Sequence, residues 1–131
     1  MTLLPVTLAA AAAAAILNLW LMIRVGAVRQ QTGISIGDAN NEPLQRRMRA
    51  QANFIESTPF VLALLLVIEL AGKGGAWLPY VAGLYMVARI AHAFGMDGGK
   101  AQIGRMIGTI VSMLTLLGLA VFAALVAAGV L

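Results

Sequence analysis

The chain contains no cysteine, which excludes disulfides, thiolate metal sites and a cysteine nucleophile. Any sulfur chemistry must use a thiol brought by a ligand. One histidine and five carboxylates are too few to point to a dedicated metal centre. Charge is also scarce, at 11% of residues, against about 25% in soluble domains. The apolar share is 61%, and mean hydropathy is +0.92. A 131-residue chain of this composition is an all-α integral membrane protein, expected as one unit over residues 1–131. The net charge of +4 fits loops facing cytoplasm and anionic lipid, not nucleic acid. There is no internal repeat and no phosphate-binding glycine loop.

Four apolar segments give four expected transmembrane helices, over about 3–28, 42–70, 76–94 and 101–130. The first is alanine-rich and has no Lys or Arg before it, unlike a signal peptide, and is read as a retained helix. Asn41 is placed to cap the second helix, with Glu42 and Pro43 in its first turn. Pro59 lies inside that helix and predicts a kink. Gly104, Gly108 and Ser112 form a small-residue stripe suited to close packing by the fourth helix. Arginine and lysine gather at the first loop (Arg24, Arg29, Arg46, Arg47, Arg49) and at the third turn (Arg89, Lys100, Arg105). The positive-inside rule then puts both of these in the cytoplasm and both termini outside.

Arg49, Asn53 and Glu56 stand at i, i+4 and i+7 in an apolar surrounding, and with Arg46 they fall within an arc of about 80°. An ionisable group in lipid costs roughly 2.5–3.5 kcal/mol on insertion scales, so such groups mark a functional site by default. Tyr85, Arg89, His92 and Met96 form a second stripe on the third helix. Arg29 and Arg105 bring cations from the first and fourth. Arginines grip carboxylates through paired N–H donors, Glu56 accepts from an ammonium, and Asn53 does both. A small peptide with two carboxylates and an amine matches this inventory. A phosphate would have no use for Glu56.

Plainer readings stand beside these. The Arg49–Asn53–Glu56 stripe would also serve as interhelical glue, at about 0.6–2 kcal/mol per hydrogen bond. Arg105 would also serve as a snorkelling anchor, His92 as a hydrogen-bonded bundle residue, and Met96 as packing. Glu69 reads as solvated, and Arg46, Arg47, Lys73 and Lys100 as topology signals.

The string Arg49-Ala50-Gln51-Ala52-Asn53-Phe54-Ile55-Glu56, followed by Pro59, resembles the signature of the MAPEG family, the membrane-associated proteins in eicosanoid and glutathione metabolism. Arg89-Ile90-Ala91-His92, the order of the four segments and the closing Arg105 extend the resemblance over nearly the whole chain. It implies a four-helix protomer, a homotrimer, and glutathione as co-substrate between subunits near the cytoplasmic face. By position it implies that Arg49, Asn53 and Glu56 bind glutathione, with Gln51, Tyr85 and His92 close by and Arg29 and Arg89 serving its carboxylates or bracing the pocket. Arg105 would stand at the sulfur as the catalytic group. The implied activity is a glutathione transferase or peroxidase acting on lipophilic substrates, with detoxification as its use. Ser57 and Met96 stand where members often carry tyrosine, and Gln30 and Met106 also depart from the pattern, which weakens an eicosanoid assignment. Those departures and the short loops point to a bacterial inner-membrane member. The alternatives are a non-catalytic lipid-binding or scaffold protein of the same fold and, less attractively, a small transporter using Glu56 and His92.

Overall fold

The computed structural model describes residues 3–131. Among them there are four α-helices and no strand: α1 (Pro5–Thr32), α2 (Glu42–Leu70), α3 (Leu78–Met96) and α4 (Ile103–Ala127), the last entered through a 3-10 turn at Gly99–Gln102. Pro5 starts α1, where its missing N–H costs nothing, and the alanine tract that follows has the highest helix propensity. Hydropathy alone ends this helix at Val28. It continues to Thr32, where Gly33 stops it in a left-handed conformation (φ 74°) with its N–H on the Arg29 carbonyl. Asn41 caps α2 as expected, its side chain accepting the Leu44 N–H at 2.9 Å. α2 then runs on through Pro59 to Leu70.

Outward-facing side chains are the large apolar ones. Leu114, Leu117 and Met113 on α4 and Leu84, Val87 and Phe94 on α3 are exposed, whereas Tyr85, Leu65, Val61 and Leu78 are sealed inside. This is a surface made for hydrocarbon. Three helical stretches are long and apolar enough to cross a membrane: α1, α2, and Gly99–Ala127, which joins the 3-10 turn to α4. The expected fourth, α3, has 19 residues, about 28 Å of helix, but carries Arg89 and His92 and falls short in hydropathy. Its polar side chains point inward, with Arg89 and His92 both 3% exposed, so α3 is polar toward the bundle and apolar outside.

α3 and α4 make the closest helix pair. A Cβ on Gly108 would come within 2.7 Å of the Ala88 carbonyl oxygen, and one on Gly104 would strike the Ala91 carbonyl. The small-residue stripe of α4 is therefore taken up by α3 of the same chain. It offers no face to a second copy.

Each end of the bundle is tied by polar groups. At one end the Glu69 carboxylate accepts the Val6 and Thr7 backbone N–H groups, both at 3.0 Å, which satisfies free donors at the start of α1. Glu69 is thus a cap and not merely a solvated charge. Lys73 Nζ donates to the Leu131 carbonyl at the same end, at 2.8 Å. At the opposite end the Arg24 guanidinium, on α1, pairs with Asp97 after α3 and donates to the Ala93 carbonyl at 3.2 Å. It lies 5.0 Å and 5.1 Å from the Trp20 and Phe94 ring centroids. Arg47 adds a donor to the Arg24 carbonyl at 2.7 Å. Arg46 bonds Glu42 and, at 3.2 Å, the Met96 carbonyl. Arg46 and Arg47, read above as topology signals, also lash α2 to its neighbours.

Candidate functional site

The residues singled out in the sequence collect at the arginine-rich end, but on two sides of α2. Gln51 and Asn53 are two positions apart and so about 200° apart around the axis. Gln51 faces α1, where its amide donates to Asn18 Oδ1 at 3.4 Å. Arg29 lies on that side too, donating to the Ile34 and Gly37 carbonyls at 3.2 Å and 2.9 Å and touching Met48 Sδ at 3.8 Å. Arg29 thereby folds the first loop back onto α1.

The other side of α2 meets α3 and α4. Asn53 is half-buried, and its Oδ1 accepts from the Arg89 guanidinium at 2.6 Å. The second terminal nitrogen of Arg89 donates to Ser112 Oγ at 2.9 Å, and Ser112 passes its own proton to the Gly108 carbonyl at 2.7 Å. Three helices are joined through one guanidinium. Among the described residues no carboxylate lies within 4 Å of it, and its Nε has no partner. Tyr85 is fully buried one turn away, its hydroxyl 2.9 Å from both Ser57 Oγ and Thr58 Oγ1. His92 is sealed against α4 with Nδ1 unpartnered.

Arg49, Glu56 and Arg105 differ from these. All three are exposed on the single chain. Arg49 and Glu56 form an ion pair at 3.7 Å, with side chains 61% and 59% exposed. Arg49 and Arg105, from α2 and α4, line one groove of about 590 Å³ together with Asn40, Glu42, Gln45, Arg46 and Met96. Three guanidinium groups against one carboxylate make this groove cationic. A smaller hollow of about 390 Å³ continues from Arg105 past Thr109 to Ile110, toward the apolar flank of α4. The arrangement can hold a small anionic, hydrogen-bonding ligand at the bundle end while a lipophilic molecule approaches along α4.

Sequence reasoning passed over Arg24, Asp97, Asn18 and Thr58 as site-forming groups, and took Ser112 only as a small packing residue. Arg24 and Asp97 are 73 positions apart, and no local pattern joins them. Among the described residues no cluster of three or more metal-ligating side chains occurs.

A family model described as the MAPEG family matches residues 7–125. No curated protein and no solved structure matches the chain.

Proposed function

The chain belongs to the MAPEG family of membrane proteins in eicosanoid and glutathione metabolism, and on that footing we propose that it is a membrane-bound glutathione transferase, or peroxidase, whose thiolate is stabilised by Arg105. The observation that carries this reading is the groove in which Arg46, Arg49 and Arg105 converge from two helices at the polar end of an otherwise lipid-facing surface. Glutathione brings two carboxylates for the arginines and an ammonium for Glu56. It also supplies the thiol that a chain without cysteine lacks. A free thiol has pKa about 8.5, and a nearby guanidinium favours the thiolate. The sulfur then attacks an electrophilic carbon, forming the S–C bond as the leaving group departs with its electron pair. With a hydroperoxide the same thiolate attacks the peroxide oxygen, forming an S–O bond as the O–O bond breaks and the alkoxide leaves to be protonated to the alcohol. The thiol of a second glutathione then displaces water from the resulting sulfenic acid to give the disulfide.

The site as proposed needs more than one copy of the chain. Counting 20 residues back from Leu70 at 1.5 Å each covers about 30 Å and reaches Gln51, so Glu56 stands inside the hydrocarbon layer. A carboxylate left facing lipid there would cost roughly 2.5–3.5 kcal/mol. A neighbouring copy presenting its Arg29 and Gln51 side to the Asn53 and Glu56 side would cover it, and a homotrimer is the closed arrangement we favour. α3 would then be a fourth span, its polar face enclosed by the bundle. With the arginine-rich end in the cytoplasm, glutathione reaches the groove from a compartment that holds it.

The test is conjugation of glutathione to a small aromatic electrophile by the purified protein. Arg105→Ala is expected to remove most of the rate, because the groove loses the cation nearest the apolar hollow, while leaving the fold intact. Equal rates in both proteins would reject Arg105 as the thiolate stabiliser. Failure of millimolar glutathione to raise thermal stability would favour a non-catalytic scaffold instead.

A further inference from the structure

We propose that Arg89 is a positioning residue that fixes the polarity of the Asn53 amide, so that Asn53 meets its ligand only as a donor. The inference deepens the functional reading above and rests on it for the ligand. Its basis is the donor inventory of the two side chains. A guanidinium has five N–H donors and no acceptor. Whatever atom of Asn53 stands 2.6 Å from Arg89 must therefore be the carbonyl oxygen. The Nδ2 group is turned the other way, donates to no group among the described residues, and is not among the buried polar atoms lacking a partner, so it keeps access to the surface.

Arg89 cannot relax this arrangement. It is 97% buried, 3% being exposed, and its other terminal nitrogen is held by Ser112 at 2.9 Å. Ser112 in turn can offer Arg89 only a lone pair, because its proton is committed to the Gly108 carbonyl at 2.7 Å. The order of donors runs in one direction from α3 to both neighbours. An asparagine alone could turn either end of its amide to a ligand. Coupled to Arg89 it selects an acceptor, such as a carboxylate or peptide carbonyl, and rejects an ammonium or amide N–H. Glu56, one turn on, is left as the group that accepts. Within the proposed site this sets which end of a zwitterionic peptide lies at Asn53.

The experiment compares Asn53→Asp with Asn53→Leu in the purified full chain, reading thermal stability without ligand and then KM and kcat for glutathione. Aspartate keeps the oxygen that Arg89 needs and loses the outward donor. Leucine loses both. Asn53→Asp is expected to be at least as stable as the parent protein, and Asn53→Leu clearly less stable. For turnover, Asn53→Asp is expected to raise KM for glutathione at least about tenfold, equivalent to about 1.4 kcal/mol of binding, with kcat changed far less. A purely structural asparagine would leave KM where it was. Asn53→Asp losing as much stability as Asn53→Leu, or keeping the parent KM, overturns the proposal. A parent protein that shows no response to glutathione, with the stability order as expected, overturns the functional reading and the ligand half of this proposal but upholds the Arg89-imposed polarity.

Discussion

Removing the Asp97 carboxylate strips the Arg24 guanidinium of its counter-charge at a place only partly open to water. The Arg24 side chain is 10% exposed and that of Asp97 34%. Breaking a buried pair by deleting one partner typically costs about 3–5 kcal/mol. Two features reduce the figure here. Asp97 is one-third solvated, and Arg24 keeps the Ala93 carbonyl at 3.2 Å and the Trp20 and Phe94 rings at 5.0 Å and 5.1 Å. A ring contact with a desolvated cation contributes about 0.5–2 kcal/mol. Asp97→Ala should therefore cost about 2 kcal/mol. Arg24→Met removes the charge together with its need for a partner. Adding Asp97→Ala to Arg24→Met should then cost at least about 1 kcal/mol less than Asp97→Ala alone. The assay is a double-mutant cycle on reversible unfolding in detergent micelles. Strict additivity of the two substitutions would refute the reasoning, since it would mean that the pair makes no energetic contribution across α1 and the α3–α4 turn.

Tyr85→Phe should cost about 1–2 kcal/mol in the same unfolding assay, because the buried Thr58 hydroxyl loses the phenol it meets at 2.9 Å. Gly108→Ala should cost about 1–3 kcal/mol, since the new Cβ meets the Ala88 carbonyl oxygen at 2.7 Å and α4 must shift; a neutral substitution would mean the two helices are not held that close. Asn41→Ala should destabilise the first turn of α2 by about 1 kcal/mol, read as faster hydrogen exchange at the Leu44 amide, which donates to the Asn41 side chain.

Helices with strong local signals were legible in the sequence. Asn41 and Pro43 announced the start of α2, and apolar runs located α1 and α4 because hydrocarbon demands long runs. The apolar run also located α3, expected over 76–94 and found at Leu78–Met96, although its inward Arg89 and His92 lower its hydropathy. The stripe of Arg49, Asn53 and Glu56 was legible because helical periodicity is local. What each member touches was not. Asn53 turns to Arg89, 36 positions away, while Arg49 and Glu56 stay exposed and pair with each other. Gln51 was placed close to them by the family resemblance, yet a step of 200° from Asn53 sends it to the α1 side of its own chain, where it meets Asn18. Glu69 looked solvated because nothing nearby in sequence needs an acceptor; its donors are the free N–H groups of α1, more than 60 positions earlier. The glycine stripe of α4 spoke for close packing but not for the partner, which is α3 of the same chain.

Thiolate absorbance of glutathione bound to the purified protein, followed against pH, tests the role of the cationic groove most directly. The bound sulfur should titrate well below the free-thiol value of about 8.5, and Arg105→Ala should return it toward that value with glutathione still bound. A bound thiol that titrates as in free solution in both proteins would contradict thiolate stabilisation by Arg105.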